Sequence, residues 1–255
     1  MDLTINELLQ GKSTIIRDKE YFPSKTYVEP FIERMSKYTD DFVIKALTPN
    51  QLSVTKNNPD IVYNRVWVQA ILPDDYTEEN HAQVYGLVYG LDPKIPRAKL
   101  YRANLNLDYM SLFISDSSWM SIQEIEEKGH IDFKPLNALA AKDNEAIDII
   151  KKMKNTTIKR SDYKSLLGNW GDFVIRDFDD SGFGIVKIPH STVTKAYKQL
   201  FVDKNDKHYI PEDENPSLFN IYNSFSEIIT GDKRDILNTV DKTLLLSRML
   251  EVKRV

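Results

Sequence analysis

The sequence predicts an α+β protein in which an antiparallel meander sheet is packed by N-terminal and C-terminal helices. Three observations lead there. Between Phe42 and Leu107, short runs rich in Val, Tyr, Ile and Leu follow one another, divided by the turn clusters TPN, KNNPD, PDDYTEEN and DPKIPR. No helical period falls between these runs, which favours hairpin connections over βαβ crossovers. On either side of this segment, apolar residues recur at helical spacing instead.

Taken in order, the first forty residues lean helical: Thr4 is placed as an N-cap before INELLQ, Gly11 is a stop signal, and Phe31, Ile32 and Met35 share one face. FVIKAL, QLSVTK, IVYNRVWVQAIL, AQVYGLVYGL and AKLYRANLNL are then the strands of the sheet. From Ser121 the period returns to helical, with Leu139, Ile147, Ile150 and Met153 in one stripe. GDFVIRDFDDSGFGIVKIP reads as a hairpin around an Asp/Ser/Gly turn, and three helical segments close the chain. This order gives a sheet-containing region, 1–120, and a mainly helical lobe with a small hairpin, 121–255, or else a single domain over 1–255.

Composition narrows the function classes. No apolar run approaches the roughly 18–20 residues that span a bilayer, and no basic-then-apolar leader opens the chain, so the expected location is cytoplasmic, in the host cell if the chain is phage-encoded. With no cysteine, disulfides, thiolate metal sites and a Cys nucleophile are excluded. His81, His130, His190 and His208 are scattered, and no pair has the i, i+4 spacing of a helical metal site, so no metal and no cofactor are expected. DFDDSGFG matches the start of an EF-hand loop through Asp177, Asp179, Ser181 and Gly182, but Ile188 stands where the closing Glu belongs, and a hairpin turn explains the stretch better. Gly86 and Gly90 lie near a strand end without any phosphate-loop pattern, and no nucleophile elbow occurs. No catalytic set stands out, although a metal-dependent nuclease needs only a few carboxylates and a Lys.

The candidate surface comes from alternation within two strands. Val66, Val68, Ala70 and Leu72 form the core face of one, which turns Tyr63, Arg65, Trp67 and Gln69 outward. In KLYRANLNLD, Leu100, Arg102, Asn104 and Asn106 share one face, and Lys99, Tyr101, Ala103, Leu105 and Leu107 the other. Cations interleaved with aromatics suit single-stranded nucleic acid, because bases stack on rings while Arg and Lys follow phosphates. The expected nucleic-acid-binding residues are Arg65, Trp67, Lys94, Arg97, Lys99 and Arg102. Cover by the helices is the competing reading of this face, with Trp and Tyr in the core. The net charge of −4 excludes a uniformly basic binder but not a local basic face.

A second surface is KRDILNTVDKTLLLSRMLEVKRV, where Leu237, Val240, Leu244, Leu245, Met249 and Val252 form an apolar stripe edged by Lys and Arg. It reads as a partner-binding or oligomer helix, or as a docked core helix.

SLFNIYNSFSEIITGDKRDILNTVDKTLLLSRML, with Phe219, Tyr222, Asn223, Phe225 and Glu227, resembles a family of phage and plasmid proteins of unknown function, as does IPRAKLYRANLNLDYMSLFI. That family commonly carries a Cys-Ser/Gln-Asn run where this chain has NLNLDYMS. The resemblance implies a phage or mobile-element origin and a place among early proteins of DNA replication or recombination; it carries no catalytic residues. The expectation is a single-stranded DNA- or RNA-binding accessory protein. Its alternative is a non-enzymatic protein that binds a host or virion protein, or a second copy of itself, through the C-terminal helices.

Overall fold

The computed structural model of the chain describes residues 5–9, 14–16, 19–21, 24–47, 65–72, 80–90, 97–109, 111–121, 127–128, 130, 132–134, 143–163, 188–231 and 236–252. The fold is α+β, as the strand and helix periods predict, with a five-stranded antiparallel sheet and helices at both ends of the chain. It divides into two compact units: residues 1–103, 116–140 and 233–237 form the first, and 104–115, 141–232 and 238–255 the second.

The first unit opens with helix α1 (Ile5–Leu9), a small antiparallel hairpin of β1 (Thr14–Ile16) and β2 (Lys19–Tyr21), a turn of π-helix (Ser24–Val28) and helix α2 (Glu29–Met35). The hairpin was not expected in a stretch read as helix-leaning; its Thr-Ile-Ile and Lys-Glu-Tyr runs flank a two-residue Arg-Asp connection, the short spacing of a hairpin. Pro30 sits in the first turn of α2, where a missing N–H costs nothing. The main sheet follows as a meander of β3 (Phe42–Leu47), β4 (Arg65–Ile71), β5 (His81–Gly90), β6 (Arg97–Asn106) and β7 (Ser111–Ser121). The proposed strand QLSVTK lies outside the described residues.

On one sheet face Val66, Val68 and Ala70 of β4, Leu87 and Tyr89 of β5, and Ala98 and Leu100 of β6 pack with Tyr27, Val28, Phe31, Ile32 and Met35. This is the core face that alternation predicts. Burying each large apolar side chain contributes about 1.5–3 kcal/mol, so these contacts supply the main drive for docking α2. Tyr27 and Tyr89 meet with ring centroids 5.3 Å apart. Thr39 ties the turn after α2 to the sheet by donating to the Ile71 carbonyl at 2.6 Å.

In the second unit, the β6–β7 turn is joined by helices α3 (Asp143–Asn155), α4 (His190–Phe201), α5 (Leu218–Gly231) and most of α6 (Ile236–Val252). Helix α5 is buried on nearly every side, from Leu218 to Thr230. A reciprocal cap starts it: the Ser217 N–H donates to Asn220 Oδ1 at 3.0 Å, and the Asn220 N–H donates to Ser217 Oγ at 3.1 Å. Its Phe219, Ile221, Tyr222 and Phe225 pack with Ile150 and Met153 of α3, Val193, Ala196 and Leu200 of α4, and Leu245 and Leu246 of α6.

Strand β7 ends the sheet, and its first residues are satisfied by side chains of α5. Tyr222 donates to the Leu112 carbonyl at 2.6 Å; Ser226 Oγ donates to the same carbonyl at 2.9 Å and accepts the Leu112 N–H at 3.0 Å. An edge strand that would otherwise offer bare backbone groups is covered here. Val240, Leu244 and Leu245 of the predicted C-terminal stripe are buried, but so are Thr239, Asp241, Thr243 and Ser247 around them. Between Thr239 and Ser247, α6 is buried on its polar as well as its apolar positions.

Candidate functional site

Of the six residues expected to bind nucleic acid, Arg65 and Trp67 lie on β4 and Arg97, Lys99 and Arg102 on β6. Arg65 is the first residue of β4 and faces Gly90, the last of β5; Arg97 is the first residue of β6. Since β4 and β6 both run antiparallel to β5, Arg65 and Arg97 begin their strands at the same end of the sheet. Lys94 belongs to the connection between β5 and β6 and lies outside the described residues, as does Tyr63.

Trp67 and Lys99 lie two residues further in, each 1% exposed, and Arg102 is 4% exposed. Gln69, at 5%, is buried as well, which agrees with the covered reading of this face over the exposed one. The physical reason is that the indole finds its partner inside. Trp67 Nε1–H donates to the Tyr101 hydroxyl, and the Tyr101 ring lies over Gly86, where the absence of a side chain leaves room for it. Burial raises the Tyr101 phenol far above its ordinary range, with the Trp67 and Gln69 hydrogen bonds opposing that shift.

Arg102 sits on the opposite face. Its Nη2 donates to Gln83 Oε1 at 2.7 Å and its guanidinium lies 4.9 Å from the centre of the Tyr85 ring, and Tyr85 pairs with Ala70 of the core face. As placed, Trp67, Lys99 and Arg102 do not share a surface, and the buried Trp67 ring leaves no room for a stacked base.

The second unit holds a cluster that spacing did not reveal. His208, 3% exposed, brings Nε2 to 2.5 Å from Glu227 Oε2, and its ring stacks on Tyr109 with centroids 5.0 Å apart. Lys207 lies 3.2 Å from the other Glu227 oxygen and donates to the Tyr109 carbonyl at 3.0 Å. The partners are 19 and 98 residues apart in sequence, too far for any local pattern to signal them. With its Nε2 turned into the carboxylate, His208 clasps the loop after α4 to α5 and to the β6–β7 turn. Glu227→Ala should cost about 1–3 kcal/mol by leaving buried His208 without its partner. Lys207→Ala should change the unfolding free energy read by urea denaturation by under about 0.5 kcal/mol, because that ion pair is half exposed. Equal losses from the two variants would show that the imidazole is not what the carboxylate holds.

Among the described residues, no group of three or more His, Asp or Glu stands close enough to hold a metal ion. The calcium-like loop at Asp177–Gly182 lies outside them. No helix among them is long and apolar enough to cross a membrane. In comparison with known proteins, no family model, no curated protein and no solved structure matches the chain.

Proposed function

We propose that this chain is a nucleic-acid-associated accessory protein of a phage or mobile element, holding single-stranded DNA or RNA by its phosphates at one end of the sheet. The observation that supports this reading most is the common end at which Arg65 and Arg97 begin β4 and β6, flanking the connection that carries Lys94. Stacking on Trp67 is not part of it. Phosphate contacts by Arg and Lys need no exposed ring and read no sequence, which fits an accessory role.

Anisotropy of a fluorescein-labelled oligothymidine tests it. Arg65→Gln with Arg97→Gln should weaken binding about tenfold at low salt and flatten the slope of log affinity against log salt by about 1.4, for two lost contacts at about 0.7 each. Unchanged affinity would sink the sheet-end reading. A protein partner is the second reading, favoured by Tyr38, which is 61% exposed beside a depression of about 560 Å³ between the α2–β3 turn and the end of β4. Tyr38→Ala would then abolish partner binding while leaving the oligonucleotide titration unchanged.

A further inference from the structure

We propose that residues 151–161 of the second unit form a separate phosphate-binding surface, occupied by the backbone of a nucleic acid without reading its bases. Lys151, Lys152, Lys154, Lys159 and Arg160 put five cations into ten residues, and no acidic residue falls between Asp148 and Asp162. In a chain whose net charge is −4, this is a local concentration of positive charge.

The fold turns that charge outward. Ile150 and Met153 of α3 are buried against α5, so Asp148, Lys151, Lys152 and Asn155, at i, i+3, i+4 and i+7, form the exposed stripe of the helix. The chain then leaves α3 through exposed Thr156 and Thr157 and presents Lys159 and Ser161. This exit is held firmly. Ile158 N–H donates to the Pro216 carbonyl at 2.9 Å, Leu218 N–H to the Thr156 carbonyl at 2.8 Å, and Arg160 N–H to Asn215 Oδ1 at 3.1 Å.

Two of the five cations are already engaged in this packing. Lys154 lies over the Phe219 ring at 5.0 Å; Arg160 lies over Phe201 at 4.6 Å and donates to the Pro211 carbonyl at 2.7 Å. The other three, Lys151, Lys152 and Lys159, are exposed, and none is in an ion pair among the described residues. Compensation of the helix dipole accounts for Lys152 and Lys154 in the last turn of α3. It accounts for neither Lys151, one residue before that turn, nor Lys159, beyond the helix. A run of ammonium groups on a fixed frame, with the side-chain amide of Asn155 among them, is complementary to a row of phosphates.

The test uses the full chain and a labelled oligothymidine of about twenty nucleotides, longer than the 4–16 covered by one small binding domain. The variant carries Lys151→Gln, Lys152→Gln and Lys159→Gln, three exposed positions whose exchange should leave the circular dichroism spectrum and melting curve as they are. The proposal expects the salt slope to fall by about 2, for three contacts at about 0.7 each, with affinity down at least tenfold at low salt. A variant that binds with the parent slope, while Arg65→Gln with Arg97→Gln weakens binding, overturns this surface and leaves the sheet-end reading standing. The converse result keeps this surface and removes the other. Loss of binding to anionic phospholipid vesicles with no change toward the oligonucleotide would assign the lysines to a membrane and overturn the proposal, as would an unmodified chain that binds no strand at low salt.

Discussion

Trp67→Ala is expected to lower the stability of the chain by about 3–5 kcal/mol, the usual loss on cutting a large buried aromatic to a methyl group. The indole is 1% exposed and donates to Tyr101, so the variant both empties a volume and removes one of the two side-chain hydrogen bonds of the buried phenol, leaving that to Gln69. Urea denaturation followed by far-ultraviolet circular dichroism measures it. Under conditions where the variant is still folded, its oligonucleotide affinity should stay within about twofold of the parent, because a change of affinity by tenfold requires about 1.4 kcal/mol of lost contact. A stable variant with weakened binding would place Trp67 at the ligand and overturn the account of the buried face.

Alkaline pH should cost the protein a comparable amount. Burial raises the phenols of Tyr101, Tyr163 and Tyr222 well above the ordinary value of 10.0. In the unfolded chain they ionise near that ordinary value, and in the fold they stay neutral. Their contribution is therefore fully present below pH 10.0 and is lost as the pH rises toward the higher folded values. Each phenol that ionises only on unfolding costs about 1.4 kcal/mol per pH unit above that point. With Tyr163 and Tyr222 in the second unit, that unit should lose about 3 kcal/mol over one pH unit, a large part of the stability of an ordinary domain. The phenolate absorbance of the 13 tyrosines reads it directly: these three should titrate only when the circular dichroism signal collapses. Complete titration near pH 10.0 with native structure intact would contradict their burial.

Where a strand is apolar on alternate residues, the sequence was legible to within a residue or two. FVIKAL is β3 from end to end, and the core face of β4 is the one that Val66, Val68 and Ala70 announce. Strand β7 was missed because SLFISDSSWMS interrupts its apolar residues with Ser and Asp; the strand is held by backbone pairing and by Ser226 and Tyr222, 110 or more residues away. The second face of β4 stayed open between exposed and covered for a related reason. Tyr, Arg, Trp and Gln look like surface in a single strand, and only partners on other elements decide whether their polar atoms can be satisfied inside. The lysines after Ile150 were visible in the sequence, but which of them the core would engage depends on Phe219 and Phe201, supplied by two other helices.

Gly86 and Tyr101 are best understood as one unit of volume shared between adjacent strands. A methyl group built onto Gly86 would meet the phenol ring of Tyr101, so neither position can change size alone. Among homologues, these two positions would be expected to trade bulk for bulk: a larger residue at 86 would accompany a smaller one at 101, and Trp67, bonded to that phenol, would change with them. A correlated triplet at these positions would then be a record of packing, and its presence would say nothing about the ligand.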